Sequence, residues 1–122
     1  MRNFRNYNVW QESMGLVKAV YMLSEKLPSN ERYGLRSQIT RTDVSIPANI
    51  AEGCSRNSDI EFKRFLEIAL GSAFELETHL LIIEDLSILK YDCTEISELL
   101  NKIQKMLNQF ISKLKQDKVT KN

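Results

Sequence analysis

The 122-residue chain holds one histidine, two cysteines, two prolines and four glycines, and each scarcity closes off a class of proteins. A zinc site built from four cysteines, or from two cysteines and two histidines, lacks its ligands. So few turn-forming residues exclude a sandwich or barrel, which reverses direction roughly every 8–12 residues. The longest aliphatic run, Leu80-Leu81-Ile82-Ile83, falls far short of the ~20 residues a membrane-spanning helix needs. Arginines near the N-terminus are followed by no apolar stretch, so no secretory signal is expected and a cytoplasmic location is. Gly15, Gly34, Gly53 and Gly71 are isolated, which leaves no phosphate-cradling loop. Seventeen basic residues face sixteen acidic ones, a net charge of +1. Attraction to nucleic acid or anionic lipid must therefore be local.

What the chain does have is helical periodicity. Four segments repeat apolar residues at 3.6-residue spacing, predicting helices over about 9–26, 30–52, 59–89 and 93–115, with a polar, frayed tail over 116–122. Asn8 with Gln11, Ser29, Ser58 with Glu61, and Asp92 with Glu95 read as N-terminal caps. Gly53 reads as a left-handed helix terminator. Leu27-Pro28 ends the first segment, and Pro47 interrupts the second. Trp10, Met14, Val17 and Tyr21 are expected at the centre of the first helix's buried face. Short connections favour antiparallel neighbours, so residues 1–122 are expected to form one all-α domain, an up-down-up-down four-helix bundle. Cys54 and Cys93 then lie at opposite ends of a helix about 45 Å long, too far apart to bridge.

The third segment carries two apolar stripes. Phe62, Phe65, Leu66, Ala69, Ala73, Leu76, Leu80 and Ile83 suffice for a bundle core. Leu70, Phe74, Leu81 and Ile88 fall about 100° around the helix, and would leave an apolar patch that soluble monomers rarely expose. This second stripe is the candidate subunit interface, facing Val20, Leu23 and Leu27 of a neighbouring copy.

No catalytic constellation is found. Glu75, Glu77, Glu84 and Asp85 flank His79, but a di-iron bundle wants two Glu-x-x-His motifs on separate helices. With one histidine and no strand-turn-helix elbow, a Ser-His or Cys-His site is also missing. The expectation is a protein without enzymatic activity, metal or cofactor. Gln38, Arg41, Ser45, Asn49 and Glu52 line one sector of the second helix. They read as a buried polar ladder packed on the third helix, with Glu75 as an acceptor; the competing reading is a ligand or partner site. Charge is segregated along the chain: residues 1–57 and 92–122 are net basic, 58–91 net acidic. Lys102, Lys105 and Lys113 are the first candidates for nucleic-acid contact, with Arg2, Arg5, Arg32 and Arg36 next.

The string from Gln38 to Gly53, with Ser45-Ile46-Pro47-Ala48-Asn49-Ile50-Ala51-Glu52-Gly53 at its centre, resembles a known family. So do Val9-Trp10-Gln11, Leu27-Pro28, Glu61-Phe62, Gly71-Ser72 and Glu75-Leu76-Glu77-Thr78. The chain resembles the four-helix-bundle proteins encoded in intervening sequences of bacterial 23S ribosomal RNA genes, relatives of the accessory variability protein of diversity-generating retroelements. The resemblance implies a bacterial homopentamer associated with RNA, or with a reverse transcriptase and its nucleic acid. Asp43, where small residues usually follow the motif arginine, weakens phosphate binding by this helix. Two functions compete: an oligomeric RNA-associated protein, and a scaffold for a partner enzyme that touches nucleic acid weakly or not at all.

Overall fold

The computed structural model describes residues 2–31, 34–90 and 92–121, with side chains as far as residue 115. Four helices account for most of it: α1 (Asn8–Glu25), α2 (Leu35–Cys54), α3 (Asp59–Asp85) and α4 (Thr94–Lys121). No strand occurs among the described residues. Each helix packs on its neighbours in the order α1, α2, α3, α4 and back to α1. Antiparallel pairing is visible in single contacts: Ser45 of α2 meets Ser72 of α3, and Gly53 meets Phe62 and Phe65. Likewise Tyr7, ahead of α1, stacks on Phe110 of α4, whereas Glu12 reaches Lys102.

The helix ends depart from expectation in instructive ways. Tyr7, not Asn8, occupies the N-cap of α1 and makes no side-chain cap bond. The Gln11 amide donates instead to the Arg5 carbonyl at 2.8 Å. Ser29–Glu31 forms a separate 3-10 turn, so α2 starts at Leu35 rather than near Asn30. At α3 the capping box is half formed, with Ser58 Oγ accepting from the Glu61 amide at 3.2 Å. That helix ends at Asp85, four residues short of Leu89. Ser87 turns into the left-handed region (φ 51°), and the Ile88 amide donates back to the Ile83 carbonyl at 3.1 Å. This paired reversal is a Schellman stop. At the other extreme α4 continues past Lys115 to Lys121, since no glycine or proline breaks it.

The core runs the length of the bundle. Leu16, Val20 and Leu23 from α1, Ile39, Ile46 and Ile50 from α2, the expected stripe of α3 apart from Phe65, and Leu100, Ile103 and Leu107 from α4 are enclosed. Phe65 is half-buried at the edge of its stripe. On α1 the buried line is Val9, Ser13, Leu16, Val20, Leu23 and Leu27. Trp10 and Val17 are half-buried and Met14 and Tyr21 exposed, so that helix is turned about 100° from the orientation its larger side chains suggest. Val20, Leu23 and Leu27 thus serve the chain's own core, not a neighbouring copy. Cys54 and Cys93 are both buried and form no disulfide, and burial pushes both thiols above their ordinary range.

Candidate nucleic-acid interface and polar faces

From Leu99 to Gln116 the sequence of α4 contains no carboxylate. Its buried side chains are aliphatic apart from Gln104, which leaves Asn101, Lys102, Lys105, Asn108, Gln109, Ser112, Lys113 and Lys115 on the exposed surface. Helix geometry spreads Lys102 to Lys113 over about 16 Å. Lys102 Nζ pairs with Glu12 Oε1 at 2.8 Å on a solvated surface, where such a pair contributes little. Among the described residues Lys105 and Lys113 form no ion pair. Lys113 borders an apolar groove of about 350 Å³ formed by Tyr7, Val9, Met106 and Phe110.

The arginines divide differently. Arg2 is a staple: its guanidinium pairs with Asp59, donates to the Arg56 carbonyl at 2.9 Å, and lies 4.4 Å from the Phe62 ring centre. Arg5 is exposed and stacks on Phe4 at 4.5 Å. Half-buried Arg36 lies in a groove with Tyr21, Ser37 and Thr40. Arg32 lies outside the described residues.

The polar ladder of α2 is not the buried network expected. Gln38, Arg41 and Glu52 are exposed, as is Glu75 across the seam; only Ser45 and Asn49 are half-buried. Most of its hydrogen bonds stay within the chain segment. Ser45 donates to the Thr42 carbonyl at 2.7 Å, Asn49 to the Ser45 carbonyl at 2.7 Å, and Glu52 pairs with Arg56 at 2.9 Å. Ser45 alone crosses to α3, its hydroxyl 2.6 Å from that of Ser72. The physical reason is rotation: Ile39, Ile46 and Ile50 take the buried face, leaving the ladder on its flank. Gly71 is exposed with open space for a Cβ, whereas α2 and α3 approach closely at Gly53.

On α3, Leu70 is half-buried against the core, as is Ile88, which lies beyond the helix end. Phe74 and Leu81 are 49% and 50% exposed, with Ile82 beside them at 37%.

Asp43, expected only as a negative charge that weakens phosphate binding by α2, has a different place in the structure. Asp43 is fully enclosed, 0% exposed, and neither carboxylate oxygen has a hydrogen-bond partner. Loss of water raises its pKa from 3.8 to about 7. The signal was present in the spacing, because Ile39, Asp43, Ile46 and Ile50 step along one helical face.

A family model described as 23S rRNA-intervening sequence protein matches residues 5–109. The chain is also similar to a crystal structure of a protein with unknown function from the S23 ribosomal protein family of Bacteroides thetaiotaomicron. That likeness has 27% sequence identity and a TM-score of 0.77, over 85% of this chain and 95% of the other. No curated protein matches.

Proposed function

Since the chain belongs to the 23S rRNA-intervening sequence protein family, with its match over residues 5–109, we propose that it is a non-enzymatic, oligomeric bundle that associates with RNA. The observation that carries this reading is the face of α4. A run of exposed lysines, asparagines, glutamine and serine without one carboxylate suits a phosphate backbone, where each cation releases condensed counterions. Lys105 and Lys113 lead the contact and Lys102 joins it by leaving Glu12, a weak surface partner. Arg5 is the remaining candidate at the same end of the bundle, whereas Arg2 is committed to Asp59 and the Arg56 carbonyl.

Binding of a structured RNA hairpin to the wild-type protein and to the Lys102→Glu, Lys105→Glu, Lys113→Glu variant tests this assignment. The variant is expected to lose at least about tenfold in affinity with its helical circular dichroism intact, since all three side chains point to solvent. Undiminished binding would move the contact to Arg5 and Arg36 or remove RNA from the account.

Exposed Phe74 and Leu81 favour a second reading, in which the α3 face docks a partner enzyme such as a reverse transcriptase. In the first reading the same side chains hold the copies of this chain together, five by the resemblance. A mixture of tagged and untagged chains separates the two: co-purification of the untagged copy supports self-association.

A further inference from the structure

The buried polar side chains among the described residues have no proton to offer Asp43. Three hydroxyls share the core with it: Ser13, Ser24 and Thr42. Ser13 donates to the Val9 carbonyl at 2.6 Å, Ser24 to the Tyr21 carbonyl at 2.7 Å and Thr42 to the Gln38 carbonyl at 2.7 Å. Every one of these protons is spent on its own helix. Gln104, the remaining buried polar side chain among the described residues, donates to Glu77 at 2.9 Å on the α3–α4 side.

No buried cation compensates either. Apart from Asp43, the ionisable groups buried among the described residues are the thiols of Cys54 and Cys93. Glu12, Lys18 and Glu25 on α1, and Glu75 and His79 on α3, occupy exposed or half-buried positions, and none pairs with Asp43. An ionised carboxylate enclosed without donors is among the most costly states a protein interior can hold, whereas a neutral carboxyl can itself donate. One turn later stands Pro47, buried inside α2. It has no N–H to give the Asp43 carbonyl, so this turn lacks one helical hydrogen bond.

We infer that Asp43 is a proton-binding site of the bundle core, and that its loss of that proton makes the Asp43–Pro47 turn of α2 a switch that loosens the packed bundle as the pH rises toward neutrality. The sign follows from linkage. Burial lifts the folded-state pKa to about 7 from an ordinary 3.8, so the folded state holds the proton across a window in which the unfolded chain has released it. The stabilisation is complete below the unfolded value and is lost as pH rises through the folded one. In that window the folding constant attributable to this carboxyl falls about tenfold per pH unit.

Urea denaturation of the full chain from about pH 5 to 8, for wild type and Asp43→Asn, reads this directly. The wild-type folding constant is expected to fall relative to the variant's by about tenfold per unit up to pH 7, then level off. Parallel curves would overturn the inference. So would a slope abolished by His79→Gln but untouched by Asp43→Asn, since imidazoles as a class change charge near neutrality. The wild type alone supplies a test that survives misfolding of the variant. Carboxyl-labelled aspartate followed by NMR should show one carboxyl still protonated at about pH 6, and titration of every aspartate near the ordinary value of about 3.9 would overturn the proposal.

Discussion

Gly53 and Gly71 carry the same side chain and opposite obligations. A Cβ on Gly53 would lie 2.8 Å from the Phe65 Cβ, 3.0 Å from the Phe62 ring and 3.3 Å from the Phe62 carbonyl, so α2 and α3 touch through that missing methyl. Gly53→Ala is therefore expected to cost about 1–3 kcal/mol in urea denaturation, the usual penalty for overpacking. A Cβ on Gly71 or Gly15 would meet nothing within 4 Å beyond its own helix backbone, and both sit in helix interiors. Gly71→Ala and Gly15→Ala should each add about 0.5–1 kcal/mol by trimming unfolded-state freedom. Neutral substitution at Gly53 would deny the close approach. Spacing alone did not separate these cases: Gly53 was legible as special, but as a left-handed terminator, and no described glycine has positive φ. Asp43 shows the same limit. Its place on the apolar face was readable, yet aspartate so rarely enters a core unpaired that chemistry argued against periodicity.

At the scale of the element, existence and order were legible because each of four long segments repeats apolar residues at helical spacing. Boundaries were less so. The α3 pattern ran on through Ile88, because a Schellman turn folds the next apolar residue back onto the helix it has just ended. Ser87 bears the cost of that stop at φ 51°. Ser87→Gly should raise stability by about 1 kcal/mol, measured as the shift in thermal midpoint, by relieving a left-handed conformation. A fall would mean that the Ser87 side chain supports the turn. At the opposite end Ser58→Ala removes the acceptor for the Glu61 amide and should cost about 1 kcal/mol. The rotation of α1 was misread for another reason. Trp10, Met14 and Tyr21 are large, so they dominate a hydrophobic stripe, while the smaller Val9, Ser13, Leu16 and Val20 fill the narrow space between helices.

Taken whole, the bundle separates its tasks by face. Inward lie mostly aliphatic side chains, with Asp43 among them; outward on α4 lies a surface free of carboxylates from Leu99 to Gln116; outward on α3 lie Phe74 and Leu81. Because those two are half exposed, Phe74→Asp should leave the fold intact and dissociate the proposed oligomer. Sedimentation equilibrium checks both parts, and a wild-type monomer at micromolar concentration would reject self-association. The lysine face was legible residue by residue, but its continuity required knowing that α4 is one helix with its carboxylates confined to the ends. The central claim is RNA association through that face, and affinity for a structured RNA hairpin across a salt series tests it most directly. The account predicts that log affinity falls linearly with log salt, by roughly 0.7–0.9 per phosphate neutralised, and that reversing Lys102, Lys105 and Lys113 flattens the slope by about two to three contacts. No measurable binding at low salt, or a slope that the three reversals leave unchanged, would contradict it.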